Sequence, residues 1–348
     1  MKIDTFDLTK DGTFIIAEVS ANHNGDYAIA KEMIKAAYDA GADAVKLQTY
    51  TADTMTLDVK NEYFMIDQGT IWDGKNLYDL YKEAYTPWEW QPKLKEYADE
   101  LGIILFSSPF DKTSVDFLED MNVAAYKIAS FEITDIPLIR YVASKQKPVI
   151  ISTGIASLED IEEAVKTCKE SGNDEIILLQ CTSAYPAPLE DANLLTIQDL
   201  AERFGVIAGF SDHTLGITAP VTAVALGAKV IEKHFILDRA MGGVDSEFSL
   251  NIDEFKEMVK AVRETEKLMG KATYEMTPKK LKSREFSRSI FISQDIKKGE
   301  PFTEKNLKIV RPNYGLAPKY IDKVLGKIAD KDYTKGTPLT SLPKEDKR

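Results

Sequence analysis

The sequence is poor in histidine and cysteine, and it lacks any long apolar run. Its 348 residues include three histidines and two cysteines, Cys168 and Cys181. Two thiols in so long a chain do not form the spacing pattern of a disulfide framework, so we expect both to be reduced. No stretch approaches the roughly 20 apolar residues that cross a bilayer. The sequence therefore predicts neither a disulfide-rich secreted domain nor a membrane protein.

Positive charge is also in deficit. The chain has 44 Lys and Arg against 56 Asp and Glu, a net charge of −12 at pH 7. This balance argues against a nucleic-acid partner, which requires a basic surface. It does not exclude an anionic small substrate, because a few lysines in a cleft can reverse the sign locally. Residues 1–7, MKIDTFD, lack the charged start and apolar stretch of a signal peptide, which predicts a cytoplasmic protein.

Short β-branched segments alternate with longer amphipathic ones. The predicted strands are 14–20, 44–50, 103–108, 124–130, 148–153, 175–181, 206–211 and 229–235. Such alternation predicts parallel βαβ units. Eight units favour a closed (β/α)8 TIM barrel, which typically takes about 250 residues. An open doubly wound sheet is the alternative, but no GxGxxG turn follows the first strand.

The pattern changes after Gly270. We predict a barrel domain at 1–275, a polar linker at 276–285 and a small, mostly β domain at 286–348. Within the barrel, residues 51–87 form an aromatic insertion. It could cover the mouth of the barrel, pack on its side or make a subunit contact.

Two of the three histidines lie at the predicted ends of neighbouring strands. His213 follows the seventh strand and His234 belongs to the end of the eighth. Carboxyl ends of barrel strands line the active site, and imidazole is a common ligand of divalent transition metals. We therefore predict a metal site, open enough to activate a substrate oxygen. The alternative is a hydrogen-bonded pair that holds substrate. For His23 a structural and a functional role are equally open.

Ammonium and hydroxyl groups gather at the same strand ends. Lys46, Lys127, Ser130, Ser152 and Ser211 predict a cationic, hydroxyl-rich pocket. Such a pocket suits a phosphate or a carboxylate, because both kinds of group donate hydrogen bonds to its oxygens.

Acidic side chains at these ends allow a second interpretation. The lysines could pair with Glu18 and Glu232 inside the barrel, since buried charges need partners. Glu18 is a candidate general base that activates water, or else a counter-ion of Lys46. Gln48, Ser183 and Tyr185 follow or end other strands and add polar groups to the same mouth.

Together, these segments resemble the sialic acid synthase family over essentially the whole chain. The matching segments are IAE at 16–18, NHNG at 22–25, KLQT at 46–49, SSPF at 107–110, KIAS at 127–130, STG at 152–154, GFSDHT at 209–214 and EKHF at 232–235. The C-terminal segment, with Arg311-Pro312, is similar to the antifreeze-like (SAF) domain of that family. Each motif is weak alone, whereas their combination is specific.

Within the family, the chain is most similar to members that make pseudaminic acid. The similarity lies in TADTMTL at 51–57, NLYDLY at 76–81, YTPW at 85–88 and GGVDS at 242–246. N-acetylneuraminate synthases usually carry a glycine where Ser20-Ala21 precedes the Asn-His-Asn motif, and an asparagine in place of Ser183.

The resemblance implies condensation of phosphoenolpyruvate with the acetamido sugar 2,4-diacetamido-2,4,6-trideoxy-altrose, which yields pseudaminic acid and phosphate by C–O cleavage. It implies that His213 and His234 hold Mn²⁺ (or Mg²⁺ or Co²⁺) against the sugar aldehyde. The residues it assigns to phosphoenolpyruvate are Lys46, Lys127, Ser130, Ser152 and Ser211, and those near the sugar are Gln48, Tyr185 and Asp245, with Ser183 also in the substrate site.

The resemblance further implies a homodimer with exchanged C-terminal domains, in which Arg311 reaches the partner's substrate. Two alternatives remain at this point. One is the same chemistry on the precursor of N-acetylneuraminate or legionaminic acid. The other is a non-catalytic sugar-binding protein that depends on the C-terminal domain.

Overall fold

Eight parallel strands close into a barrel in this computed structural model, which describes residues 1–67 and 72–343. A short antiparallel hairpin precedes them. The strands are β1 (Lys2–Ile3), β2 (Phe6–Asp7), β3 (Phe14–Glu18), β4 (Ala44–Thr49), β5 (Ile104–Pro109), β6 (Tyr126–Ile128), β7 (Val149–Ser152), β8 (Ile176–Cys181), β9 (Ile207–Asp212) and β10 (Val230–His234).

The ring closes where the last strand pairs with the first. β10 lies in parallel register with β3, from Val230 opposite Phe14 to His234 opposite Glu18. This closure confirms the predicted TIM barrel. The sequence predicted that the first barrel strand ends at Ser20, but the strand ends at Glu18. Ser20 has a φ of 47°, which a strand does not accommodate.

Helices cover the barrel between its strands. They are α1 (Tyr27–Ala40), α2 (Ala52–Met55), α3 (Leu77–Ala84), α4 (Gln91–Leu101), α5 (Lys112–Asp120), α6 (Ile136–Ala143), α7 (Leu158–Glu170), α8 (Thr196–Phe204), α9 (Thr218–Ala225) and α10 (Ile252–Met269). Local sequence sets their ends. Asp26 caps the first turn of α1, and Gly41, at φ 89°, ends it. Ser157 and Asp160 form a capping box at the start of α7.

The strands are buried on both faces, as expected of a parallel sheet covered by helices. β9 and β10 lie close together at Gly209. A Cβ there would lie 2.3 Å from the carbonyl oxygen of Val230, so a larger residue would separate the two strands. These are the strands that carry His213 and His234 at their ends.

The chain divides into two compact units between Gly270 and Lys271, ahead of the predicted boundary after residue 275. The predicted linker 276–285 also differs from expectation, because most of it forms helix α11 (Pro278–Arg284). Thr277 caps this helix and Pro278 occupies its first position. These are two local signals of a helix start, although the polar composition of the segment suggested a linker.

The second unit is a small β domain with its own core. β11 (Ser289–Ile292) pairs antiparallel with β12 (Leu307–Val310), and a short helix α12 (Ile321–Val324) follows. Residues 332–339 contribute isolated bridges rather than a strand. The buried side chains of this core are Ile290, Ile292, Ile296, Phe302, Leu307, Val324, Ala329 and Leu339.

Across residues 1–67 and 72–343, none of the helices combines the length and the apolarity needed to span a bilayer.

Candidate functional site

The carboxyl ends of the strands bring most of the predicted site residues together. Glu18 ends β3, Lys46 and Gln48 lie on β4, and Lys127 lies on β6. The remaining members are Ser130, Ser152, Ser183, Tyr185, Ser211, His213, His234 and Asp245. Four ionisable side chains contact one another inside this end of the barrel: Glu18, Lys46, Lys127 and Glu232, all at most 5% exposed.

The four buried charges form one connected network. The Lys46 Nζ lies 2.6 Å from a carboxylate oxygen of Glu18 and 3.6 Å from one of Glu232. The Lys127 Nζ lies 3.7 Å from the same Glu232 oxygen. Ser211 donates to that oxygen as well, at 3.1 Å. The lysines therefore pair with the two glutamates, which is one of the two predicted interpretations; the pocket for an anion stays a prediction.

Burial shifts the proton affinities of these groups in different directions. Burial raises the pKa of Glu18 to about 7, although the Lys46 ammonium opposes this. Burial also acts to raise the pKa of Glu232, but the Lys127 and Lys46 charges outweigh it and lower that pKa. The pKa of Lys127 is lowered by burial. A carboxyl with a pKa near 7 can both take up and return a proton near neutral pH, as a general base must.

Hydroxyl groups surround the Lys127 side of the network. The Lys127 Nζ donates to Ser152 at 2.6 Å, and Ser183 donates to Ser130 at 2.9 Å. A Cβ at Gly154 would lie 2.4 Å from the Ser183 hydroxyl and 2.8 Å from that of Ser130. Glycine at this turn therefore keeps the hydroxyls accessible to a small anion.

His213 and His234 face each other at the ends of β9 and β10, with ring centroids 5.3 Å apart. His213 Nδ1 lies 2.9 Å from the carbonyl oxygen of Thr182. Nδ1–H donates a hydrogen bond to this oxygen, so Nε2 keeps a lone pair that can bind a metal. The buried Nδ1 of His234 has no hydrogen-bond partner within the described part of the chain. Burial lowers the pKa of His213 to about 4 and that of His234 well below its usual value, so both rings are neutral at pH 7.

Neutral imidazoles with free nitrogens fit a divalent transition ion. Orientation of His213 by a backbone carbonyl is the supporting bond that metal-binding histidines usually have. Within residues 1–67 and 72–343, no third His, Cys, Asp or Glu joins them in a cluster that could hold a metal. The remaining ligands of such an ion would have to be substrate oxygens and water.

A buried ion pair that sequence reasoning missed braces the two histidines. Asp212 and Lys233 each precede one of them, and their side chains form a contact of 2.5 Å with no exposure to solvent. The Lys233 ammonium also donates to the carbonyl of Thr214, and Asp212 accepts the Thr214 N–H. The pair joins β9 to β10 one residue before each histidine. In the sequence, an Asp precedes one histidine and a Lys precedes the other, but nothing there shows that the two side chains meet.

Aromatic rings form the wall next to the histidines. The Tyr185 ring lies 4.4 Å from His213 and 5.2 Å from Phe248. Trp72 of the aromatic insertion lies 5.6 Å from Tyr185, and its indole N–H donates to the carbonyl of Val244. The insertion thus covers part of the mouth through Trp72, one of the three predicted possibilities.

Three further ionisable residues are Arg311, His23 and Glu132. Arg311 belongs to the second unit, and its side chain is exposed. His23 has a structural role, because its ring accepts the Gly25 N–H and bonds Thr86 at 3.0 Å. Glu132 was missed by sequence reasoning, and burial raises its pKa to about 7. One of its oxygens has no partner among the described residues.

Open depressions of about 520 and 260 Å³ lie at the opposite, amino end of the barrel. Their walls contain none of the predicted site residues. We therefore place the candidate site by its chemistry rather than by the size of a cavity.

Known proteins resemble this chain over most of its length. The model of the NeuB family matches residues 33–274, and the model of the SAF domain matches residues 287–341. A pseudaminic acid synthase of Campylobacter jejuni is 50% identical over 97% of this chain and 98% of its own length. One from Helicobacter pylori is 48% identical over 94% of this chain and 96% of its own.

A solved structure extends the comparison. N-acetylneuraminic acid synthetase from Leptospira borgpetersenii, in complex with citrate, superposes with a TM-score of 0.70 at 34% identity. The match covers 78% of this chain and 90% of that one.

Proposed function

The chain belongs to the NeuB family, and from that premise we propose that it condenses phosphoenolpyruvate with 2,4-diacetamido-2,4,6-trideoxy-altrose to form pseudaminic acid and phosphate. The observation that carries the proposal is the pair of neutral histidines beside two buried lysines at one mouth of the barrel. The relatives named pseudaminic acid synthase support the choice of sugar, because they are about half identical to this chain over nearly its whole length.

The lysines and hydroxyls hold phosphoenolpyruvate. Lys46 and Lys127 offer two ammonium groups to its phosphate and carboxylate oxygens, and Ser130, Ser152 and Ser211 donate further hydrogen bonds. Their bonds to Glu18 and Glu232 keep these groups partnered while no substrate is bound. A trianionic ligand then takes over part of that role.

His213 and His234 would hold the divalent ion, for which Mn²⁺ is our first choice and Mg²⁺ or Co²⁺ the alternatives. When bound, such an ion polarises the carbonyl of the sugar aldehyde. The Thr182 carbonyl keeps His213 in the tautomer that leaves Nε2 available, and the Asp212–Lys233 pair fixes the spacing of the two strand ends.

The reaction joins two carbons and then releases phosphate. The enol carbon of phosphoenolpyruvate attacks the aldehyde carbon of the sugar, which leaves an oxocarbenium at the carbon that bears phosphate. Water adds to that carbon, and Glu18 takes its proton, for which a pKa of about 7 suits it. Collapse of the tetrahedral intermediate breaks the C–O bond and expels phosphate. Gln48, Tyr185 and Asp245 line the side where the sugar would lie.

Incubation with phosphoenolpyruvate, Mn²⁺ and a panel of sugars tests this proposal. The panel contains the altrose sugar, N-acetylmannosamine and the precursor of legionaminic acid. We expect phosphate release to be fastest with the altrose sugar. Phosphoenolpyruvate labelled with ¹⁸O in the bridging position should give labelled phosphate, because C–O cleavage leaves that oxygen on phosphorus. Failure to release phosphate with any sugar would contradict the proposal, and preference for another sugar would reassign the substrate.

The exchanged homodimer and the role of Arg311 belong to the proposal as well, together with a cytoplasmic location. Co-expression of Arg311→Ala and His213→Ala chains tests the exchange. Each variant alone should be inactive. If subunits share a site, mixed dimers should regain part of the activity, whereas no recovery would contradict the exchange.

A further inference from the structure

The loop after β3 holds a buried serine in a backbone conformation that favours glycine. Ser20 has a φ of 47° and is 4% exposed. Of the described residues, five others besides glycine have a positive φ, and all five side chains are exposed; they are Asp4, Asn24, Asn122, Gln146 and Asn193. Four of these are Asn or Asp, which tolerate the left-handed region better than serine does. Ser20 thus combines backbone strain with burial, a combination that needs a reason.

The hydroxyl of Ser20 supplies that reason, because it connects two side chains from different parts of the barrel mouth. It donates to a carboxylate oxygen of Asp245, in the loop after β10, and accepts a hydrogen bond of 3.1 Å from Nε2 of Gln48 on β4. The same Gln48 nitrogen lies 3.1 Å from a carboxylate oxygen of Glu18. Glycine at position 20 would relieve the strain but would break both bonds of the hydroxyl.

The position of Asp245 depends strongly on this hydroxyl. Its side chain is 7% exposed, and burial raises its pKa, which the Ser20 hydroxyl and the Ala21 N–H oppose. A buried carboxylate that loses one of its few donors moves or takes up a proton. Either change alters what Asp245 and Gln48 present to a ligand.

We propose that Ser20 is a positioning residue that sets sugar specificity, because its hydroxyl holds Asp245 and Gln48 in the one arrangement that fits the sugar. The inference rests on the proposed function, in which these two side chains line the sugar side of the site. Ser20 itself acts through them. The strain of its backbone is the cost of placing a hydroxyl where a glycine would fit more easily.

Two variants separate the hydroxyl from the strain. Ser20→Gly removes both, whereas Ser20→Ala removes the hydroxyl and keeps a Cβ in the left-handed region. We expect both to raise the KM for the altrose sugar about tenfold, an effect of the size that misplaced binding groups cause. The KM for phosphoenolpyruvate should stay within about twofold in both, since its proposed ligands lie elsewhere. The Tm of Ser20→Gly should exceed that of Ser20→Ala.

Gln146→Gly provides the matched control. Gln146 has a φ of 57° in the loop before β7, at the amino end of the barrel, and its side chain is exposed. This change relieves the same kind of backbone strain away from the sugar, so both KM values should stay at the wild-type level.

A double-mutant cycle with Asp245→Ala then tests the pathway, because alanine removes the acceptor of the Ser20 hydroxyl. If Ser20 acts in part through Asp245, Ser20→Gly should raise the sugar KM by a smaller factor in the Asp245→Ala background than in the wild type. A sugar KM that does not change in Ser20→Gly, or that rises several-fold more in Ser20→Ala than in Ser20→Gly, would overturn the inference. Both outcomes leave the proposed function intact, whereas a wild-type protein that fails to use phosphoenolpyruvate and the altrose sugar overturns the function itself.

Discussion

The two ends of the barrel treat charge in opposite ways. At the carboxyl end, Glu18, Lys46, Lys127 and Glu232 are almost completely buried. At the amino end, ion pairs have partly exposed partners, such as Arg263 with Asp43, at 28% and 19% side-chain exposure. The same pattern holds for Lys145 with Asp116, whose side chains are 19% and 56% exposed, and for Lys147 with Glu119, at 19% and 38%.

Under the proposed function, this difference separates charges that serve chemistry from charges that serve stability. Burying an ion costs several kcal/mol of solvation, which a partner only partly recovers. A chain selected for stability alone would fill the carboxyl end with apolar side chains. At the amino end, Arg263 of α10 donates to Asp43, before β4, and to the carbonyl of Thr13, before β3. It thereby ties the last barrel helix to the first strands at low solvation cost.

The largest effect is expected from His213→Ala, at the buried end. Turnover should fall about 1000-fold, because a two-histidine site loses half of its protein ligands. Mn²⁺ binding by the substrate-free protein, followed by electron paramagnetic resonance, should weaken in parallel, while circular dichroism stays native. His23→Gln is the matched control, since it changes the histidine outside the pair and should keep the Mn²⁺ affinity. Wild-type turnover in His213→Ala would remove the metal role.

Glu18→Gln comes next. The amide keeps the shape of the side chain but cannot take a proton from water, so we expect kcat to fall about 100-fold. Steady-state kinetics measured by phosphate release will give the value. Glu119→Gln neutralises a carboxylate at the amino end and should leave kcat unchanged. Equal losses in both variants would mean that charge at the two ends is not divided as proposed.

Acid should lower the free energy of unfolding through His23, which lies in the loop after β3 at the carboxyl end of the barrel. Burial lowers the pKa of this imidazole to about 4, from 6.5 when exposed. Above pH 6.5 the His23 imidazole is neutral in both the folded and the unfolded protein, so its contribution to stability is fully present. As the pH falls towards 4, the imidazole takes up a proton only in the unfolded protein, which favours unfolding. The free energy of unfolding should drop by about 2 kcal/mol between pH 7 and pH 5 from this residue alone.

Urea unfolding at both pH values, for the wild type and for His23→Gln, measures that contribution. The glutamine variant lacks the titrating group, so it should lose about 2 kcal/mol less than the wild type over the same interval. Parallel losses in the two proteins would show that His23 is not the group responsible.

The smallest effect is expected from Arg263→Met at the amino end. Loss of its bonds to Asp43 and Thr13 should lower the free energy of unfolding by about 1 to 2 kcal/mol, with kcat unchanged. Lys260→Met, on the same helix, breaks an exposed pair with Glu264 and should change stability by less than about 0.5 kcal/mol. A lower kcat in Arg263→Met would contradict the proposal that charged residues at the amino end contribute to stability and not to turnover.

The repeating features of the fold could be predicted because the alternation of strand-like and helix-like segments is visible in the sequence. The eight barrel strands differ from their predicted bounds by one or two residues at their ends. The hairpin of β1 and β2 escaped prediction, since each strand has only two residues. Strands that short show no alternation.

The site was predictable as a set of residues but not as a network. Strand ends located Lys46, Lys127 and the histidines, because parallel strands in a barrel all present their carboxyl ends to one mouth. Sequence spacing could not reveal that Asp212 and Lys233 pair, since the bond crosses two strands. Nor could it reveal the φ of Ser20, because only the closed structure forces a serine into that conformation.

Closure of the barrel also has a consequence during synthesis. β3 emerges from the ribosome long before β10, the strand that completes its hydrogen bonding. About 200 residues separate them, which at 5 to 20 residues per second amounts to roughly ten to forty seconds. For that interval the nascent chain carries an open strand edge, the kind that invites pairing with a foreign strand. Closure into a ring protects the strand edges of the finished barrel, but it also means that the nascent chain is exposed to aggregation until the last strand has been synthesised.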